Sequence, residues 1–146
     1  MKNLFDPAAK EEIIKRISSL TSNTTPQWGK MTVAQMLKHN TMPLEMALSN
    51  PKPKRGLLGK LFGPMIKNAV VGQTPFKKNG FTPKQFKIDT QEVFDIQKAR
   101  LLDQVKRFTP ANVSDKTHPM FGPLTDAEWG QSQYKHLDHH LTQFGV

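Results

Sequence analysis

Residues 50–88 read NPKPKRGLLGKLFGPMIKNAVVGQTPFKKNGFTPKQFKI, and the fold turns on this stretch. It separates two long helical patterns. A short loop at this point would set the flanking helices antiparallel. A connection of this length can instead run from one end of a bundle to the other and set them parallel. Inside it, GLLGKLFGPMIKNAVV puts Leu58, Leu61, Phe62, Met65, Ile66 and Val70 at helical spacing, while Gly59, Gly63 and Pro64 weaken the helix. We expect a short, broken amphipathic helix within a long crossover, with Leu58, Leu61, Phe62 and Ile66 docked on the bundle and covering its core.

The flanks supply four helices. In DPAAKEEIIKRISSL, Asp6 is an N-cap candidate and Pro7 suits the first helical position. Ile13, Ile14, Ile17 and Leu20 share a face, and the loop TSNTTPQWGK ends this helix near Ser22. The second helix follows Thr32, with Val33, Met36, Leu37, Leu44 and Leu48 on one side. Pro43 lies inside it and should kink it. The third, DTQEVFDIQKARLLDQVKRF, starts at Asp89 or Thr90 and turns Val93, Ile96, Leu101, Val105 and Phe108 inward. The fourth opens with a capping box, Thr125 and Glu128, in which hydroxyl and carboxylate each satisfy the other residue's backbone N–H. It carries Tyr134, Leu137, Leu141 and Phe144, and Gly145 is its stop. The best strand candidate, QFKI at 85–88, is short. The expected fold is all-α: one domain over 1–146, a four-helix bundle with a crossover between helices two and three.

Composition removes several function classes. The chain has 146 residues and no cysteine, which excludes a disulfide scaffold, a thiolate metal site and a cysteine nucleophile. No apolar run is long enough to span a bilayer, and the N-terminus lacks a signal-peptide core, so we expect a cytoplasmic protein. The formal charge is +9. Nine basic residues (Lys52, Lys54, Arg55, Lys60, Lys67, Lys77, Lys78, Lys84 and Lys87) fall between Pro51 and Ile88 with no acidic one among them; the remaining 12 basic residues match the 12 acidic ones. Such a segment attracts anions or serves as a solvated loop. It has no nucleic-acid recognition motif, and its phenylalanines read as core anchors. We expect no nucleic-acid partner, and no membrane contact if the apolar side chains are docked. The competing reading is a non-enzymatic binding module whose 51–88 segment contacts an anionic membrane surface or a partner.

Three of the five histidines lie within five positions of YKHLDHHLTQ, residues 134–143. At 100° per residue, His136 and His140 share the flank of the apolar stripe, and His139 points to the opposite, solvent side. Imidazoles at i and i+4 can ligate one ion. The same pair also reads as boundary histidines bonded to backbone or to Gln133. His39, near Met36, Pro43 and Met46 on the edge of its own helix's stripe, can add a third ligand. Three imidazoles suit a divalent ion such as zinc, nickel, iron or copper and leave coordination positions open. Gln143, one turn past His140, is the best candidate to orient an imidazole N–H; Asn40 and Glu45 are further candidates. Asp138 reads as a surface carboxylate and Trp129 as packing. His118, before a proline in a loop, is a candidate further contact.

The stretches WGKMTVAQMLKHN, HPMFGPLTDAEWGQSQYKHLDHHLTQFGV and LFGPMIK resemble the DinB-like superfamily of metal-binding helical bundles, and more narrowly a branch of uncharacterised domains within it. They cover most of the chain. The resemblance implies a four-helix bundle with a crossover between helices two and three. It also implies a divalent metal (zinc, nickel, iron or manganese) held by one histidine on the second helix and an HxxxH on the last, here His39, His136 and His140. Members of that superfamily include thiol-dependent transferases and isomerases, so the resemblance implies a small-molecule substrate or thiol cosubstrate, and a homodimer. A metal-dependent thiol transferase or hydrolase is the leading expectation. The amphipathic insert departs from plainer members.

Overall fold

The computed structural model describes residues 1–52, 54, 56–80, 82, 86–113 and 115–146; the side chain of Leu58, one of the expected core contacts, lies outside that set, as does Gln85 of the strand candidate. The described residues are mostly helical. The elements are α1 (Pro7–Ser19), α2 (Val33–Leu48), α3 (Leu57–Val71), α4 (Phe94–Arg107) and α5 (Asp126–Gln143). Between α4 and α5, β1 (Thr117–His118) and β2 (Gly122–Pro123) form an antiparallel pair.

Helix ends follow the local chemistry in most places. Pro7 occupies the start of α1, after Asp6. Thr32 and Gln35 form a capping box on α2, and Thr125 and Glu128 form the expected one on α5. Gly145 takes φ +76°, a left-handed turn that closes the chain after α5. Two boundaries differ from expectation. α1 stops at Ser19. α4 begins at Phe94 because Glu92 is drawn aside: its carboxylate accepts from Lys38 Nζ, Thr90 Oγ1 and Gln97 Nε2. With that start, Gln97, Leu101, Gln104 and Val105 face inward, and Val93 and Ile96 are exposed.

The core gathers Ile13 and Ile17 of α1, Met36, Leu37 and Leu44 of α2, Leu101 and Val105 of α4, and Trp129, Leu137 and Leu141 of α5. Cross-links give the directions. Gln35 donates to Thr90 O, Lys38 pairs with Glu92 and Glu45 with Arg100, so α2 and α4 run the same way. Tyr134 Oη donates to Glu12 and Arg16 pairs with Asp138, so α1 and α5 also run together. Lys10 Nζ donates to Phe108 O and Lys98 Nζ to Ser18 O and Leu20 O, which sets α1 against α4. In those contacts a lysine of each helix neutralises the carbonyl end of the other.

α3 departs most from expectation. It is one continuous helix of 15 residues through Pro64. Leu61, Phe62 and Ile66 are exposed instead of docked, and buried Gly59 and Gly63 turn inward. A Cβ on Gly59 would stand 2.8 Å from Pro119 O, so the missing side chain is what lets the helix approach the turn between β1 and β2. Two lysines hold it there. Lys135 Nζ donates to Ala69 O and Gly72 O at the end of α3, and Lys67 Nζ pairs with Glu128 and donates to Pro123 O.

Candidate metal centre

α2 and α5 bring His39, His136 and His140 together. The capping box fixes the start of α2, and His39 follows nearly two turns later on the face toward α5. His136 and His140 occupy the same side of α5, one turn apart. The three ring centroids form a near-equilateral set: 5.1 Å from His39 to His136, and 4.8 Å for each of the other two pairs.

Hydrogen bonds assign the tautomers. Phe86 O can only accept, so His39 carries its proton on Nδ1 and donates it across 2.9 Å. Gln143 Nε2 donates to Trp28 O, which turns Gln143 Oε1 toward His140 Nδ1 at 2.8 Å. His140 therefore also carries its proton on Nδ1. Both rings leave Nε2 bare, and that of His39 faces His136. His136 Nε2 lies 3.2 Å from His39 Nε2 and must donate to it; His136 Nδ1 is buried with no partner among the described residues. His136 is thus the one ring whose proton sits on the inward nitrogen.

These three donors could hold a metal ion. One nitrogen from each ring lies within 4.8 Å of the others. Around a tetrahedral ion with bonds of about 2.0–2.1 Å, nitrogen ligands stand about 3.3 Å apart. The His39–His136 separation already has that value. Burial keeps all three imidazoles neutral: it lowers the pKa of His39, lowers that of His136 well below the usual range with help from neighbouring rings, and takes that of His140 down to about 3.

Over residues 3–145 the sequence matches a family described as protein of unknown function, DUF1569. The chain belongs to DUF1569. No curated protein and no solved structure matches it.

The other candidates in this DUF1569 chain sort by contact. Gln143 bonds His140 as expected. Asn40 Nδ2 donates to Met36 O within its own helix, and Glu45 pairs with Arg100. Asp138 pairs with Arg16, and Trp129 is buried, its Nε1 donating to Lys116 O. His118 forms a turn: its Nδ1 accepts from the N–H groups of Met120 and Phe121, and its ring stacks on Phe121. His139 does not simply face water. Loop residues Trp28 and Phe76 meet it edge-on at 5.9 and 5.7 Å, and its ring touches that of His140 at 5.0 Å. The carbonyls of Phe86 and Trp28 escaped the sequence reading, because a backbone oxygen gives no residue-type signal. Beside His139 lies a cleft of about 300 Å³ lined by Trp28, Phe76, Lys78, Tyr134, Lys135 and His139; His39, His136 and His140 are not part of its lining. Lys78 lies over Trp28 and Lys135 over Phe76, each at 4.4 Å. No helix among the described residues is long and apolar enough to cross a membrane.

Proposed function

We propose that this DUF1569 protein is a helical bundle of the DinB-like kind that binds one divalent metal ion through His39, His136 and His140 and acts on a small molecule. The observation that carries the reading is the inward convergence of three neutral imidazoles, His39 buried and the α5 pair half-buried, two of them locked in the ligating tautomer by Phe86 O and Gln143. The parallel run of α2 and α4 across a long connection supports the bundle topology, with α3 as an addition to it. When bound, the ion would supply Lewis acidity and favour a thiolate or hydroxide at neutral pH. Three protein ligands leave room for such a group.

The chain's own residues do the rest. Gln143 and Phe86 orient two rings. His136 must pass its proton from Nε2 to Nδ1 before it can ligate through the inward nitrogen. The aromatic cleft beside His139 is of small-molecule size, and its two lysines favour an anionic group such as a carboxylate. The reaction class is thiol transfer or hydrolysis. Elemental analysis of metal-replete protein tests the site: one ion per chain is expected, and a metal content unaffected by His136→Ala would refute it. Cobalt-loaded protein separates the two chemistries. Visible absorption that changes on adding a small thiol supports transfer; indifference to thiols supports hydrolysis.

A further inference from the structure

We propose that the outer face of α3 docks on an anionic lipid surface. Leu57, Leu61 and Met65, at successive helical turns, are 81%, 69% and 72% exposed, and Phe62 and Ile66 extend the same face. On a helical wheel these five cover about half the circumference. A water-facing helix ordinarily turns such a stripe inward. Here the inward face is given to Gly59 and Gly63, and Lys67 and Lys135 fasten that side to Glu128 and to the helix's own last carbonyls. The large side chains are therefore held outward by the way the helix is seated.

Charge selects the occupant. All of the chain's net charge of +9 lies between Pro51 and Ile88, a stretch without an acidic residue. Lys54, Lys60 and Lys77 are exposed and make no ion pair among the described residues. A second copy seated on this face would bring two such basic segments together. An anionic bilayer surface offers both requirements at once: an apolar boundary for Leu57, Leu61, Phe62, Met65 and Ile66, and phosphate headgroups for the lysines.

Co-sedimentation of the full chain with vesicles tests the proposal, using phosphatidylcholine alone and phosphatidylcholine mixed with phosphatidylglycerol. The protein should pellet with the mixed vesicles, release at high salt and stay in solution with phosphatidylcholine alone. Leu61→Asp with Met65→Asp should lower binding about tenfold or more, and Lys54→Glu with Lys60→Glu should do the same. These side chains are exposed, so the helical circular-dichroism signal should be unchanged in both variants. Failure to pellet with phosphatidylglycerol overturns the proposal, as does equal pelleting with both vesicle types. Binding that survives Leu61→Asp with Met65→Asp would assign the segment to a charge-only polyanion contact and also overturn it. So would a dimer that these substitutions dissolve, since a second copy would then be the occupant.

Discussion

The Nε2 atoms of His39 and His136 stand 3.2 Å apart, although 97 positions separate the residues in sequence. Without an ion this contact is a hydrogen bond from His136 to His39; in the proposed metal-bound form both nitrogens would ligate instead. His39→Ala, His136→Ala and His140→Ala should each lower metal affinity more than about a hundredfold, beyond the usual effect of an outer partner. His139→Ala should keep the ion. It removes edge contacts to Trp28 and Phe76, so its expected cost is in stability, about 1 kcal/mol, read from a denaturant midpoint. Isothermal titration with zinc on the four variants separates these outcomes.

Gln143 acts on the site through His140. Its amide is clamped between Trp28 O and His140 Nδ1. Gln143→Leu removes the acceptor and should weaken metal binding by roughly 10- to 100-fold. Gln143→Glu keeps an acceptor toward His140 while losing the donor to Trp28, and should recover much of that loss. Equal affinity for the two variants would show that the amide acts only as packing.

What was legible in the sequence follows one physical rule: helical phase reports which residues share a face, but not what covers the face. Phase grouped His136 with His140 and put Gln143 above them, and the structure has that arrangement. Phase also put His139 opposite them, where Trp28 and Phe76 arrive from distant loops. Helix propensity misjudged α3. Gly59, Gly63 and Pro64 lower intrinsic helicity, yet backbone approach at Gly59 and the lysine cap at its end come from tertiary structure. The stripe of α4 was partly misassigned for the same reason, since Glu92 is bonded to Lys38 of a different helix.

Lys135 is buried on α5 and satisfies two carbonyls at the end of α3. Lys135→Met keeps the aliphatic stem and removes the donor. It should destabilise the chain by about 1–3 kcal/mol, the usual range for an orphaned hydrogen-bonding partner. The loss should be local. Amide exchange ought to quicken in α3 well before it does in α1 or α4.

His118 makes stability pH-dependent. Burial, with a smaller contribution from Lys52, takes its pKa from 6.5 down to about 4. The unfolded chain therefore binds a proton between those values that the folded chain refuses, so stability is full above about pH 6.5 and falls as pH drops toward 4. The full shift corresponds to about 3 kcal/mol. Protonation also removes the acceptor that Nδ1 offers to Met120 and Phe121. Denaturant titrations at pH 7 and pH 4.5 should show a smaller acid loss in His118→Asn than in the parent chain. The same acid slope in both would place the sensitivity elsewhere.

Gly59 sets two effects of similar size against each other. Alanine is a better helix former than glycine by about 1 kcal/mol, so on an isolated helix Gly59→Ala would stabilise. In the folded chain the new Cβ would meet Pro119 O at 2.8 Å and Met120 O at 3.1 Å. Both are backbone atoms, in a turn already fixed by His118, so neither can swing away as a side-chain tip would. Overpacking against such a wall costs about 1–3 kcal/mol. The clash should win, and Gly59→Ala should lower stability while leaving zinc affinity at His39, His136 and His140 unchanged. Gly56→Ala is the matched control: nothing among the described residues lies within 4 Å of its Cβ position, at the N-cap of the same helix. A Gly59→Ala chain at least as stable as the Gly56→Ala chain would mean that α3 does not rest on the turn between β1 and β2.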